Sequence, residues 1–185
     1  MALKKCLKVH KLFVAEVERC ARLEKEGEQV LSSLANVSQR LPLLVDSDSV
    51  GTNKVGRSTT SSMGVLSHCV ATQELLLQKH FLALEKSMTF LGDILKEYVD
   101  VVRRMKSFAG EYMDLLDFLE PEDNCVVPNQ QLEWMDSVVR MFEHELLRKR
   151  SLVADVEYHD ALRLKQMHAH WSIKTVHSNV DYSYA

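Results

Sequence analysis

Apolar side chains return at three- and four-residue intervals through residues 2–41, at Leu3, Leu7, Val14, Val17, Ala21, Val30, Leu31, Leu34, Val37 and Leu41. That period marks one face of an α-helix, and Pro42 is expected to close it. The stretch DSDSVGTNKVGRSTTSSMG, residues 46–64, then loses all periodicity and reads as a flexible loop. From Val65 to Glu120 the helical period resumes through Leu77, Phe81, Leu84, Leu91, Val102, Met105 and Tyr112. It predicts a long amphipathic rod, with Gly92 and Gly110 as the points where it can break. EPEDNCVVPNQ reads as a turn in which Pro121 and Pro128 prevent helix continuation. A third helix is predicted from Gln130 to Val156 and a shorter one from Asp160 to Trp171; the residues beyond have no clear period and are expected to fray.

No segment shows the period of two that a half-buried strand needs. The predicted fold class is therefore all-α: an elongated antiparallel helical bundle or coiled coil of three long helices plus a short C-terminal helix. The chain divides into an N-terminal helix over 1–42, a loop over 43–64, a bundle region over 65–171 and a tail over 172–185, within a single domain.

Composition narrows this picture by exclusion. A formal net charge of −3 provides no field for bulk nucleic-acid binding, so any basic contact is local. Charged residues interrupt every apolar run of the N-terminus, which argues against a secretory signal, and no stretch has the roughly 18 apolar residues of a membrane span. A soluble protein is expected. Cys6, Cys20, Cys69 and Cys125 are widely spaced, which fits a reducing nuclear or cytoplasmic compartment and small apolar roles for each.

Candidate chemistry is scarce. His144-Glu145-Leu146-Leu147 begins the zinc helix motif H-E-x-x-H, but Arg148 stands where the second imidazole belongs and cannot ligate a metal. No Glu has a His three residues later, as helical di-iron sites require. His168 and His170 are about 200° apart on a helix, and Cys6 with His10 lacks a second ligand pair. Phosphate-binding and nucleophile loops are absent from the sequence. The prediction is no enzyme, and no catalytic, cofactor-binding or metal residues.

Three basic groups remain. Lys4-Lys5 with Lys8 and Lys11, and Arg103-Arg104 with Lys106, lie close to acids and read as solvated helix faces. The third, Arg148-Lys149-Arg150, lies on a helix whose wheel puts Met135, Val138, Val139, Phe142, Leu146, Val153 and Val156 within about 60° either side of one core line. Trp134, Met141 and Leu152 form a second apolar flank about 110° away, and a flank carrying Trp beside Arg reads as a partner surface, with a wider bundle core as the competing reading. Lys149 falls inside the core stripe and Arg150 at its border, so their charges are directed at something specific. Binding of RNA by Arg148-Lys149-Arg150 is the alternative from another class.

The opening ALKKC, the later VLSSLANVSQRL, and LEWMDSVVRMFEHELLRKRSLVADVEYHD followed by Trp171 resemble the AIRIM family of AAA-ATPase-interacting ribosome maturation factors. HELLRKRSL and the downstream Trp are also similar to the cyclin-dependent-kinase-2-interacting protein family, but the N-terminal stretches fit the first family better. The resemblance spans residues 2–41 and 132–171. It implies a non-enzymatic adaptor that pairs with a related helical subunit and sits on a hexameric AAA ATPase. That machine releases factors from maturing large ribosomal subunits and is linked to turnover of replication proteins. The pre-ribosomal particle is then an indirect partner, the location nuclear and cytoplasmic, and membrane or direct nucleic-acid contact is not expected. Leu132, Glu133, Trp134, Leu147, Lys149, Arg150 and Trp171 are the positions matched. With Met141 and Leu152 from the wheel, the partner-binding set is Leu132, Trp134, Met141, Leu147, Lys149, Arg150, Leu152 and Trp171.

Overall fold

The computed structural model describes residues 2–45, 70–118, 126–154, 156–157, 160–172 and 178–185. The loop predicted at 46–64 and most of the turn before Val126 lie outside them. Among the described residues the fold is all-helical: α1 spans Ala2–Ser38, α2 Leu41–Val45, α3 Val70–Leu116, α4 Val126–Ala154 and α5 Ala161–Trp171.

The core of α1 follows an alternating three-four spacing. Cys6, Val9, Phe13, Val17 and Cys20 are buried, and so are Leu31 and Leu34 further on. The predicted stripe through Leu3, Leu7, Val14 and Ala21 is rotated from this line by roughly 80°; Leu3 and Leu7 are exposed. The buried line is made by Val9 and Phe13 together with the fully buried thiols Cys6 and Cys20, none of which belongs to the predicted stripe.

α3 runs its 47 residues without a break, and neither Gly92 nor Gly110 interrupts it. Its buried line passes through Leu84, Leu91, Ile94, Tyr98, Val102, Met105 and Tyr112. α1 packs antiparallel to α3, as the ion pairs of Glu16 with Arg104 and of Arg19 with Glu97 record. Arg104 grips Glu16 through two hydrogen bonds of 2.9 and 3.0 Å, so part of the second basic group is an interhelical tie. α4 returns antiparallel along α3, where the Tyr112 hydroxyl donates to Gln131 Oε1 at 2.6 Å and Tyr98 meets Phe142.

Two prolines behave differently from expectation. Pro42 sits in the first turn of α2, and α4 begins at Val126, two residues before Pro128. A proline in the first helical turn lacks only an N–H that has no intrahelical partner there, so it starts a helix as readily as it stops one. α5 is capped by Asp160, whose carboxylate accepts the Arg163 N–H at 2.9 Å. The described end of the tail also departs from expectation: Val180 is buried, and the Trp134 indole N–H donates to the Tyr184 carbonyl at 2.8 Å. The aromatic side chains of α4 and the apolar positions of the tail hold this non-helical segment along α4.

Candidate functional site

The core register of α1 continues from Cys20 to Glu24 and Gly27 before it returns to Leu31. In α4 the register runs Met135, Val138, Phe142, then Glu145 and Lys149. Charged residues thus occupy core positions on two helices, and the packing brings them together. Lys149 is 0% exposed, and its Nζ lies 2.5 Å from Glu24 Oε2 and 3.0 Å from Glu145 Oε1. The same ammonium donates to the Trp171 carbonyl at 3.3 Å and sits 4.0 Å from the centroid of the Trp171 ring.

Trp171 closes the arrangement. Its indole N–H donates to the Glu24 carbonyl at 3.0 Å, and its ring lies where a side chain at Gly27 would be, so a Cβ added there would overlap the indole. Glu145 is held from three directions: by the Arg148 guanidinium through Nε at 2.9 Å and through Nη2, by Lys149, and by the Asn179 backbone N–H at 3.0 Å. Arg148 Nη1 also donates to the His170 carbonyl. One cluster therefore ties α1, α4, the end of α5 and the C-terminal residues.

Its two carboxylates respond differently. Burial pushes the Glu24 carboxyl above the ordinary carboxylate range, with Lys149 and the Tyr98 hydroxyl opposing it. Burial also acts to raise Glu145, but the Arg148 hydrogen bonds, the Lys149 charge and the Asn179 N–H outweigh it and bring the carboxyl down to about 2. Burial pushes the neighbouring Tyr98 and Tyr182 hydroxyls and the Cys20 thiol up. These are neutral groups around two compensated ion pairs, and their chemistry is that of a structural clasp. The zinc-like tetrad belongs to it: Glu145 is engaged by Arg148, the residue in the second histidine position.

The eight residues nominated for partner binding do not form one surface. Lys149 and Trp171 are buried within the chain, where Glu24 and Glu145 neutralise the Lys149 charge that the wheel placed inside the core stripe. Leu132, Trp134, Met141 and Leu152 are partly buried against the core. Trp134 stacks near His10 and Phe13 of α1, with centroids 5.3 and 5.4 Å away, so the second apolar flank packs within the bundle. Leu147 and Arg150 face outward, Leu147 at 61% exposure. With Glu145 and Lys149 pointing inward, helical geometry turns positions 147 and 150 to the outer side. They line a cleft of about 340 Å³ with Val99, Val102, Arg103 and Lys106 of α3. Lys106 pairs with Glu143 across its rim, and Arg103 with Asp100 at 2.7 Å. Of the Arg148-Lys149-Arg150 group, Arg150 alone is an exposed cation; the other two serve the clasp.

The family model described as CA109-like, ribosome biogenesis protein C1orf109-like, matches residues 2–181. The chain belongs to this family. It is the AIRIM family of the first resemblance, and the match runs through α3 and the described tail as well as the two stretches quoted above. Membership assigns a role in ribosome biogenesis. No curated protein matches the chain. None of the helices among the described residues is long and apolar enough to cross a membrane.

Sequence reasoning singled out Lys149 but missed Glu24, Gly27 and Asn179. The first two carried a signal: with Cys6 and Cys20 counted as core, the three-four register of α1 lands on 24 and 27, where a charge and a glycine demand partners. Asn179 carried none, because it lies in a segment without periodicity, although its backbone N–H and side-chain amide both donate to Glu145.

Proposed function

We propose that the chain is a non-enzymatic adaptor subunit of a hexameric AAA ATPase complex that matures the large ribosomal subunit by releasing or recycling assembly factors. It pairs with a related helical subunit, meets the pre-ribosomal particle through that complex, and works in nucleus and cytoplasm. The family resemblance extends the same adaptor role to turnover of replication proteins. The observation that carries the reading is the Leu147–Arg150 cleft, which offers an exposed leucine and arginine over an apolar floor of Val99, Val102 and Leu146. Arg is among the residues most enriched at protein hot spots, and the apolar floor beside Arg150 gives it a surface on which a partner can exclude water. The clasp beneath fixes the α4 register, so the two side chains are presented on a rigid support.

The test is affinity purification of the full chain followed by mass spectrometry. Recovery of a AAA ATPase together with a related helical protein is expected. Recovery of neither from cells actively making ribosomes contradicts the adaptor role.

A further inference from the structure

The antiparallel pair of α1 and α3 has two sides. One carries Tyr98, which packs on Phe142 of α4. On the other, Leu75 and Leu82, seven residues apart, share the α3 face opposite Tyr98 and are 66% and 65% exposed, and Phe90 beside them is 49% exposed. Leu82 and Phe90 line one groove together, which makes them a patch rather than scattered exceptions. Between the two helices at this level runs an open groove of about 920 Å³ with Val30, Leu82 and Phe90 at its apolar centre.

Length and charge define what fits. From Leu82 to Asp93 the groove follows α3 for about 16 Å, roughly three turns, the footprint of one amphipathic helix with anchors one and two turns apart. Glu26, Glu85 and Asp93 line it against the single cation Lys86, and Asp93 also meets Lys96 at 3.1 Å outside the groove. A helix with basic flanks is attracted to such a lining, an acidic one is repelled, and so are a phosphate backbone and an anionic membrane. We infer that this outer α1/α3 face docks an amphipathic helix of another protein, with apolar anchors at helical spacing flanked by lysine or arginine. The surface is separate from the Leu147–Arg150 cleft, and the inference does not rest on the adaptor reading.

Phage-displayed helical peptides selected on the full chain, then synthesised and measured by fluorescence anisotropy, test it. The enriched peptides are expected to combine apolar residues at i, i+4 and i+7 with Lys or Arg on the flanks. Their affinity is expected to drop at least about ten-fold on the Leu82→Glu/Phe90→Glu double variant and on Glu26→Lys/Glu85→Lys. These positions are exposed or on the rim, so thermal melts of the variants should match the parent chain, and a melt that differs is answered by the milder Phe90→Ser variant, which must still weaken binding. Failure to enrich any helix, enrichment of acidic flanks, or binding indifferent to both double variants overturns the proposal. So does self-association that Leu82→Glu/Phe90→Glu abolishes, which gives the groove to a second copy. Competition by a synthetic peptide of residues 46–69, which gives it to the chain's own segment, likewise overturns it.

Discussion

Lys149 is the charge around which the clasp is built. A buried ammonium is tolerated because two carboxylates, a carbonyl and an indole face surround it. Removing one partner from such a group leaves an uncompensated charge, which typically costs about 3–5 kcal/mol. Lys149→Met is therefore expected to lower unfolding free energy by about that much in urea melts, and adding Glu24→Gln should recover part of it. Glu145 makes the cluster pH-dependent. Its carboxyl is depressed from 4.5 to about 2, so the stability it contributes is fully present above pH 4.5 and is lost as pH falls toward 2. The loss amounts to about 3 kcal/mol. Glu24 has the opposite sign: its raised carboxyl favours the fold at low pH and loses that contribution as pH rises through its folded value. Melts between pH 5 and 2 should show the acid-side decline, and Glu145→Gln should flatten it.

Glycines separate close packing from simple helix weakness at the same scale. Ala is the better helix former by roughly 1 kcal/mol, so Gly92→Ala and Gly110→Ala, which meet nothing within 4 Å, are expected to stabilise by about 0.4–1 kcal/mol. Gly27→Ala should do the reverse, lowering stability by about 1–3 kcal/mol as its methyl group meets the Trp171 indole. Equal effects in all three melts would show that Trp171 does not approach α1 so closely.

At the scale of elements, the helices were readable and their faces only partly so. Periodicity located α3, α4 and α5 because each carries enough Leu, Val, Met and aromatic residues to state its register. In α1 the register runs through Val9, Phe13 and Val17 with two cysteines, and the more conspicuous leucines at 3 and 7 point to solvent. The Trp134 flank illustrates a second limit. An apolar flank outside the core line indicates that something covers it, not whether the cover is a partner or the chain itself; here it is α1 and the last residues. Residues 178–185 have no sequence period because they are not helical, and they are held by Val180, the Tyr182–Phe142 edge contact, the Asn179–Glu145 hydrogen bond and one backbone carbonyl. Deleting residues 178–185 is expected to cost about 2 kcal/mol and to shift the Trp emission to the red as Trp134 gains water.

At the scale of the molecule, the 47 residues of α3 span about 70 Å, whereas a compact 185-residue globule has a radius of gyration near 16 Å and a diameter of about 40 Å. Small-angle scattering should give a maximum dimension of at least about 70 Å. Such a rod leaves long faces available beside its contacts with α1 and α4, which suits the adaptor role proposed above. Membership of a ribosome biogenesis family gives the process, and in the proposed adaptor role Leu147 and Arg150 are the face offered to the partner. Only these two of the nominated residues project freely, because the helix that buries Glu145 and Lys149 must turn 147 and 150 outward.

The most direct test of the adaptor role compares recovery of the AAA ATPase by the parent chain and by a Leu147→Glu/Arg150→Glu variant, with melting temperatures measured on both. The expected result is loss of at least about ten-fold of the ATPase at an unchanged melting temperature. Undiminished recovery by a folded variant would contradict the assignment of this cleft as the site where the machine is held.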